Sequence, residues 1–478
     1  MISDMLKQTY ADRLISTLTN AIPEQPSTRR SHHSLPEMSA ELSQTSVSGV
    51  SSGGAMAIQL HIAHSAHMKG IGVTAGVAYD SADSRLPLGL RLLRGAIKSV
   101  KGIAYHKPNS GEVRDFSIER TKEAFKAGGI DDPKNLKTQR VWLFHGTKDK
   151  KIARQAMDGV RKYYRNYIAK SQVFYMDDID APHGQVTDDF GDLTANPNSD
   201  HHIVDLDYDT PGRLLELIYG SLDEVKYKSE LNDLIEFDQS EFIGYCENGR
   251  FKRILPERVG MAETGFLYIP RNFQPGHRRI HVAFHGCDQY ADETMEFVRN
   301  SGYNQWADLN NIVVLYPQTT GTSSPFNPKG CWDWFGYGKP EKYRSQYARQ
   351  NGYQISAVWR MLERLQQGDD NHPHTDVFNR PIKVKGDVTD ISVAIVWKQN
   401  RAAHSFDVHR KAPCEAGFTK INDGRIKGPS YVDRTLKKGT TYQYRIRAFD
   451  ESGNKSNWSD VLTIKTLPPK SGQIMHYE

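Results

Sequence analysis

No apolar run in this 478-residue chain reaches the roughly 18 residues that a membrane-spanning helix needs, so no span is expected. The opening stretch, "MISDMLKQTYADRLISTLTNAIPEQ", lacks the apolar core of about 7–15 residues that marks a secretory signal peptide. Its Met5, Leu6, Tyr10, Leu14 and Leu18 suit one side of a short amphipathic helix instead. Cysteine is scarce, with four residues. That excludes a disulfide framework and leaves either free thiols or one bridge in an oxidising compartment. Cys246 and Cys414 look isolated, whereas Cys287 and Cys331 lie in motif-dense stretches. The chain has no HExxH and no CxxC, so no metal site is expected. An excess of one charge is also missing: 62 Lys and Arg face 57 Asp and Glu, a net +5. The basic residues form no stripe, which argues against a nucleic-acid partner.

What is present is patterned. Residues 1–39 read as a flexible lead-in. From residue 40 to 368, apolar strand-like runs alternate with helical segments, the signature of a parallel sheet covered on both faces. "TSVSGV", "GIGVTAGVAY", "RVWLFHG" and "SQVFYMDD" are strands in the first half, with helices over "GGAMAIQLHIAHSAHM", near 117–127 and over "KIARQAMDGVRKYYRNYI". Residues 221–260 read as a connector. Then follow "GFLYIP", "RIHVAFHG", a helix near 291–307, "NIVVLYPQ" and the helix "QISAVWRMLERLQQG". A linker at 369–379 leads to residues 380–468, where short alternating strands and turns such as "NDG" predict an all-β sandwich. Residues 469–478 form a tail. Trp397 in an early strand, and Tyr442 placed as a tyrosine-corner residue, make this part resemble a fibronectin type III module. No catalytic cluster and no specific partner can be read for it.

"GVSSGGAMA" contains G-x-S-x-G around Ser51, the pattern of a tight strand-to-helix turn that exposes a nucleophile. A serine hydroxyl needs a base, a group to orient that base, and donors for the oxyanion. Asp149 lies in the loop just past "RVWLFHG", and His183 in the loop after the next strand. The order Ser51, Asp149, His183 is that of α/β-hydrolases. The other histidines have blander readings: His61, His64 and His67 as a polar helix face, and His201 and His202 as exposed in "NSDHH". One oxyanion donor is expected from the amide of Ser52. A second should come from a loop after an early strand, yet no such strand precedes Ser51. "RIHVAFHGCDQ" supplies it far downstream, with the amide of Cys287 or its neighbour as donor.

These stretches, with "PHGQVTDDFG", "GMAETGFLYIP", "VLYPQT" and "NPKGCWDWFGY", resemble the poly(3-hydroxybutyrate) depolymerases, in particular those with a circularly permuted α/β-hydrolase domain. The resemblance implies a serine esterase acting on a short-chain polyester or its oligomers. It makes Ser51, Asp149 and His183 the triad and the Ser52 and Cys287 amides the oxyanion hole, with no cofactor. It also implies secretion, although no signal peptide is visible, and no further polymer-adsorbing domain follows the sandwich. Trp332, Trp334, Phe335 and Tyr337 would offer apolar faces to an uncharged substrate. On export, a Cys287–Cys331 disulfide would pin their loop beside the oxyanion strand. Other readings stay open: an esterase for feruloyl or acetyl groups on polysaccharide, or a non-catalytic binding or adhesion protein.

Overall fold

A computed structural model describes residues 33–87, 90, 109–192, 202–225, 234–247, 250–271, 279–338, 345–367, 381–398, 403–415, 417–434, 436–453, 455, 456 and 458–468. The amphipathic segment expected at residues 5–18, the linker at 369–379 and the tail at 469–478 lie outside them.

The centre is an eight-stranded sheet. Its strands are β1 (Thr45–Val50), β2 (Met68–Thr74), β3 (Arg140–Phe144), β4 (Val173–Met176), β7 (Ile235–Asp238), β10 (Thr264–Tyr268), β11 (Arg279–Phe284) and β12 (Ile312–Tyr316). Between β4 and β7 lies the short parallel pair β5 (Gln185–Thr187) and β6 (Ile203–Asp205). A hairpin of β8 (Gly244–Glu247) and β9 (Arg250–Arg253) follows β7. The order across the large sheet is β4-β3-β2-β1-β11-β12-β10-β7. From β4 to β12 all neighbours are parallel, and β10 and β7 are antiparallel additions at one edge. Every residue of β1 and β12 is buried, as expected of strands covered on both faces.

Helix α1 (Ser52–Ala63) follows β1 and is buried along its whole length. The other helices are α2 (Ser110–Lys126), α3 (Arg154–Tyr164), α4 (Thr210–Tyr219), α5 (Glu296–Asn300), α6 (Tyr303–Asn310) and α7 (Tyr353–Gln366). The single helix expected near 291–307 is broken into α5 and α6 at Gly302, whose φ of 88° is left-handed. Helix α4 and the strands at 235–253 were not foreseen, because runs this short carry little periodicity.

The fold is a circularly permuted α/β-hydrolase, and the joint is visible. The carbonyl of Leu365, near the end of α7, accepts from the Met38 amide at 3.1 Å and the Ala40 amide at 3.0 Å; the Gln367 carbonyl accepts from Ser39. Helix α7 therefore ends where the segment feeding β1 begins. Strands β7, β10, β11 and β12 follow β1–β4 in the chain but complete the same sheet.

The expected polar helix face is not polar. His61 is fully buried beside the Tyr164 hydroxyl, and His64 stacks on Trp359 with centroids 3.9 Å apart. His61 lies on α1 and His64 caps its C-terminal end; the helix is enclosed by the sheet and by α7. Across the β1–β11 pair, His281 of β11 is held between Ser46 (2.7 Å) and Ser48 (2.8 Å) of β1.

The C-terminal part is a sandwich with sheets β13-β14-β17 and β16-β15-β18-β19. These strands are β13 (Ile382–Val388), β14 (Val393–Lys398), β15 (Ser405–Lys411), β16 (Thr419–Lys420), β17 (Ser430–Asp433), β18 (Thr441–Phe449) and β19 (Leu462–Lys465). Trp397 is buried in its core. The Tyr442 hydroxyl accepts from the Lys437 amide at 2.9 Å, the tyrosine-corner bond of this sandwich class. Cys246 and Cys414 are not isolated: they form a disulfide between β8 and the sandwich. Gly417 lies so close to the end of α7 that a Cβ there would crowd the Glu363 carbonyl.

Burial holds His61 and His281 down to about 3 and His285 down to about 4. Unfolded, each takes a proton below about pH 6.5. The stability they contribute is present above that pH and lost as pH falls toward the folded values, by up to about 1.4 kcal/mol per histidine per pH unit. We expect the unfolding midpoint to fall between about pH 7 and pH 5, and His281→Gln to flatten the slope. Equal slopes by scanning calorimetry would contradict this.

Candidate active site

The turn at Ser51 is dictated by its glycines. Ser51 has φ 58° and ψ −119°, a conformation that costs a non-glycine residue about 1–3 kcal/mol. The turn is tight enough that a Cβ on Gly49 would overlap the Gly53 carbonyl group. A Cβ on Gly53 would in turn overlap the carbonyls of Phe284 and His285 at the end of β11. Only glycine lets α1 start this close to β11. The amide of Ser52, first in the helix, has no intrahelical acceptor available.

The loops after β3 and β4 are laced together. Thr147 and Lys148 donate their amides to the carbonyls of Ile179 (2.8 Å) and Ala181 (3.1 Å). This brings Asp149 Oδ2 to 2.8 Å from His183 Nδ1. The other oxygen of Asp149 accepts from the amides of Lys151 (2.7 Å) and Ile152 (2.9 Å). Burial pushes the Asp149 carboxyl up, but the His183 bond, the His183 charge and the Ile152 amide bring it below its ordinary value. A carboxylate only accepts, so Nδ1 of His183 carries the proton and Nε2 is left as a base.

The loop after β11 is fixed from three sides. The His285 Nε2 accepts weakly from the Thr319 amide at 3.3 Å, so its Nδ1 donates to the Gly286 carbonyl at 2.7 Å. The Gly286 amide donates to Gln289 Oε1 at 2.7 Å. In a trans peptide the carbonyl and the next N–H point opposite ways, so turning the Gly286 carbonyl toward His285 turns the Cys287 amide away from it. Among the described residues, neither the Ser52 nor the Cys287 amide has an acceptor. Cys287 is disulfide-bonded to Cys331, and the Ser52 hydroxyl accepts from the Trp332 amide at 3.2 Å.

These groups meet in one cavity of about 490 Å³, lined by Ser51, Ser52, His183 and Cys287 and walled by Val50, Ala55, Val77, Ile152 and Trp334. A serine hydroxyl, an imidazole held by a carboxylate, and two amides with no acceptor among the described residues, around an apolar hollow, are groups of the kinds that acyl transfer uses.

The relatives agree with this chemistry. A poly(3-hydroxybutyrate) depolymerase of Delftia acidovorans is 34% identical over 429 residues, 88% of this chain and 78% of the relative. A polyhydroxybutyrate depolymerase of Talaromyces funiculosus is 30% identical over 351 residues, 70% of this chain and 93% of the relative. The chain belongs to the poly(3-hydroxybutyrate) depolymerase family. The crystal structure of the PHB depolymerase from Penicillium funiculosum matches with a TM-score of 0.59 at 28% identity, over 70% of this chain and 99% of that one. A serine-to-alanine PHB depolymerase complexed with an R3HB trimer matches equally well, with a TM-score of 0.59, 28% identity and the same coverage. No family model matches the chain.

Within this depolymerase-family site, the four expected substrate aromatics divide. Trp334 lines the cavity. Trp332 is fully buried against Phe284 and His285, and Phe335 and Tyr337 are core residues. The reason is Asp333. Its buried carboxylate gathers the amides of Phe335, Gly336 and Tyr337, curling the loop so that these rings turn inward. The Tyr337 hydroxyl then donates to the Cys331 carbonyl at 2.7 Å. These three aromatics hold the loop rather than the substrate.

His202 was expected to be exposed but lies in the cavity wall. The parallel pairing of β5 and β6 carries it there, and its carbonyl accepts from the Gln185 amide at 2.8 Å and from the Gln289 side chain at 3.3 Å. Gln289 thus ties the Cys287 loop to the segment that carries His202. Its place two residues after "HGC" is the only hint the sequence offers. Among the described residues no His, Cys, Asp or Glu group could hold a metal.

Gly53→Ala tests the close approach. We expect a loss of about 3 kcal/mol or more in chemical denaturation, since the clash is with backbone. A loss under about 1 kcal/mol would contradict the geometry.

Proposed function

We propose that this chain hydrolyses poly(3-hydroxybutyrate) and its oligomers through an acyl-enzyme on Ser51. The observation that carries the reading is the Asp149–His183 bond at 2.8 Å beside a cavity that also holds Ser51 and two unpaired amides. His183 Nε2 takes the Ser51 proton as Oγ attacks the ester carbonyl. The developing oxyanion accepts from the Ser52 and Cys287 amides, which are already in place and need no reorganisation. The tetrahedral intermediate collapses, the ester C–O bond breaks, and His183 gives its proton to the leaving alcohol. Water then repeats the sequence on the acyl-enzyme and releases the acid. Asp149 keeps the imidazole in the tautomer that this requires and stabilises it when protonated.

The apolar wall of Val50, Ala55, Val77, Ile152 and Trp334 suits the methyl groups of a short hydroxyalkanoate. The two disulfides support work in an oxidising compartment, and we place the enzyme outside the cell. No helix among the described residues is long and apolar enough to cross a membrane.

Incubation with 3-hydroxybutyrate trimer should yield dimer and monomer by mass spectrometry, with feruloylated and acetylated oligosaccharides left intact. Cleavage of the saccharide esters alone would overturn the substrate assignment. Ser51→Ala should abolish turnover. Asp149→Asn should lower kcat by about 10³–10⁴-fold through the wrong imidazole tautomer, with the unfolding midpoint monitored alongside. Retention of more than a tenth of wild-type kcat in Asp149→Asn would remove Asp149 from the triad.

A further inference from the structure

His145 is a buried imidazole that the esterase steps leave unused. It directly follows β3, and its amide donates to the Met176 carbonyl at 3.0 Å, which carries the β3–β4 pairing one residue further. The chain then turns sharply. The Asp149 amide donates to the Gly146 carbonyl at 3.1 Å, and Gly146 lies so close to Ala181 that a Cβ would overlap the Ala181 carbonyl. The turn brings the residues after Asp149 back alongside His145.

The contact made there has a direction. His145 Nε2 lies 3.1 Å from the Ile152 carbonyl oxygen. A carbonyl only accepts, so Nε2 carries a proton and donates. The same nitrogen is 4.0 Å from Asp149 Oδ2, the oxygen that stands 2.8 Å from His183 Nδ1. Ile152 in turn donates its amide to Asp149 Oδ1 at 2.9 Å. A path of hydrogen bonds runs from His145 through Ile152 and Asp149 to His183.

Ile152 is the link. Its amide belongs to the peptide plane before its Cα, and its carbonyl to the plane after it. Asp149 holds the first plane and His145 the second. A residue has only two soft backbone dihedrals, so fixing both planes fixes Ile152, and with it the direction of a side chain that lines the cavity. One imidazole thus steadies both a donor to the Asp149 carboxylate and part of the apolar wall.

We infer that His145 is a positioning residue for ester cleavage, holding the turn at 149–152 so that Asp149 presents Oδ2 to His183. It is not among the residues that line the cavity, and it acts through Asp149. The inference rests on the esterase reading above.

The test uses side chains that keep or lose the donor. The amide of a glutamine can place an N–H near the Nε2 position, whereas that of an asparagine stops near Nδ1, short of the Ile152 carbonyl. With 3-hydroxybutyrate trimer as substrate, His145→Gln should keep kcat within about threefold of wild type, and His145→Asn should lower it by about tenfold or more, the scale of a slightly misplaced catalytic group. His145→Phe, which keeps the ring but not the donor, should behave as His145→Asn does, so the comparison survives if one of the two fails to fold. In an Asp149→Asn background, where no carboxylate is left to position, either donor-less variant should cost under about twofold, a coupling that general loss of packing does not produce. Wild-type kcat in a folded donor-less variant, equal losses in His145→Gln and His145→Asn, or an undiminished loss in the Asp149→Asn background would each overturn the inference. None of these touches the esterase reading, which wild-type turnover and its loss in Ser51→Ala decide. A wild type that leaves the trimer intact would overturn both.

Discussion

The start of α1 touches the end of β11, and the site depends on that contact. Gly53 sits against the carbonyls of Phe284 and His285 with no room for a Cβ. Residues 51–53 and 284–287 come from distant parts of the chain, yet the contact places the Ser52 amide and the Cys287 loop on one cavity. It also fixes the permutation in physical terms. Strand β1 must pair with β11 along its length, and the segment before β1 must meet the end of α7. Where the chain is cut matters little once those two contacts are made, because neither requires the chain to be continuous between them.

The polar framework around the cavity is built from groups that do no chemistry in the proposed reaction. His285 turns one peptide plane, Gln289 bridges two loops, and Asp333 curls the aromatic loop behind them. All three are buried. Each would be costly there without partners, and each is placed so that its partners are backbone groups of the loops that carry Cys287, His202 or Trp334. Rigid placement of amides is what an oxyanion site requires, since donors that must reorganise give back part of what they stabilise.

Much of this was legible in sequence, for identifiable reasons. Ser51 shows itself through the glycines that its turn demands, and Asp149 and His183 each follow a strongly apolar strand, so strand ends located them. The Trp397 and Tyr442 positions exposed the sandwich for the same kind of reason: large residues in a regular alternation. What failed was inference from residue type without a partner in view. Aromatics near a site suggest a crevice, but the Asp333 turn that holds Trp332, Phe335 and Tyr337 inward is a hydrogen-bond pattern with no periodicity. Histidine suits a polar surface or a core alike, so His61 and His64 carry no signal of burial; the enclosure of α1 and its C-terminal end is a property of its neighbours. Cys246 and Cys414 looked isolated because 168 residues separate them, and only the packing of the sandwich near the end of α7 brings them together.

His202 shows the same limit from the functional side. In "NSDHH" its neighbours are polar, and nothing local distinguishes it from a solvated histidine. Its position follows from β5 and β6, three residues each, which pair in parallel and carry the residue before β6 alongside Gly184. That pairing sets three groups in a row on one wall: His183, His202 and Lys151. Only the first takes part in the proposed reaction; the second reaches the wall through a backbone pairing of two three-residue strands, too short to leave a periodic trace in the sequence.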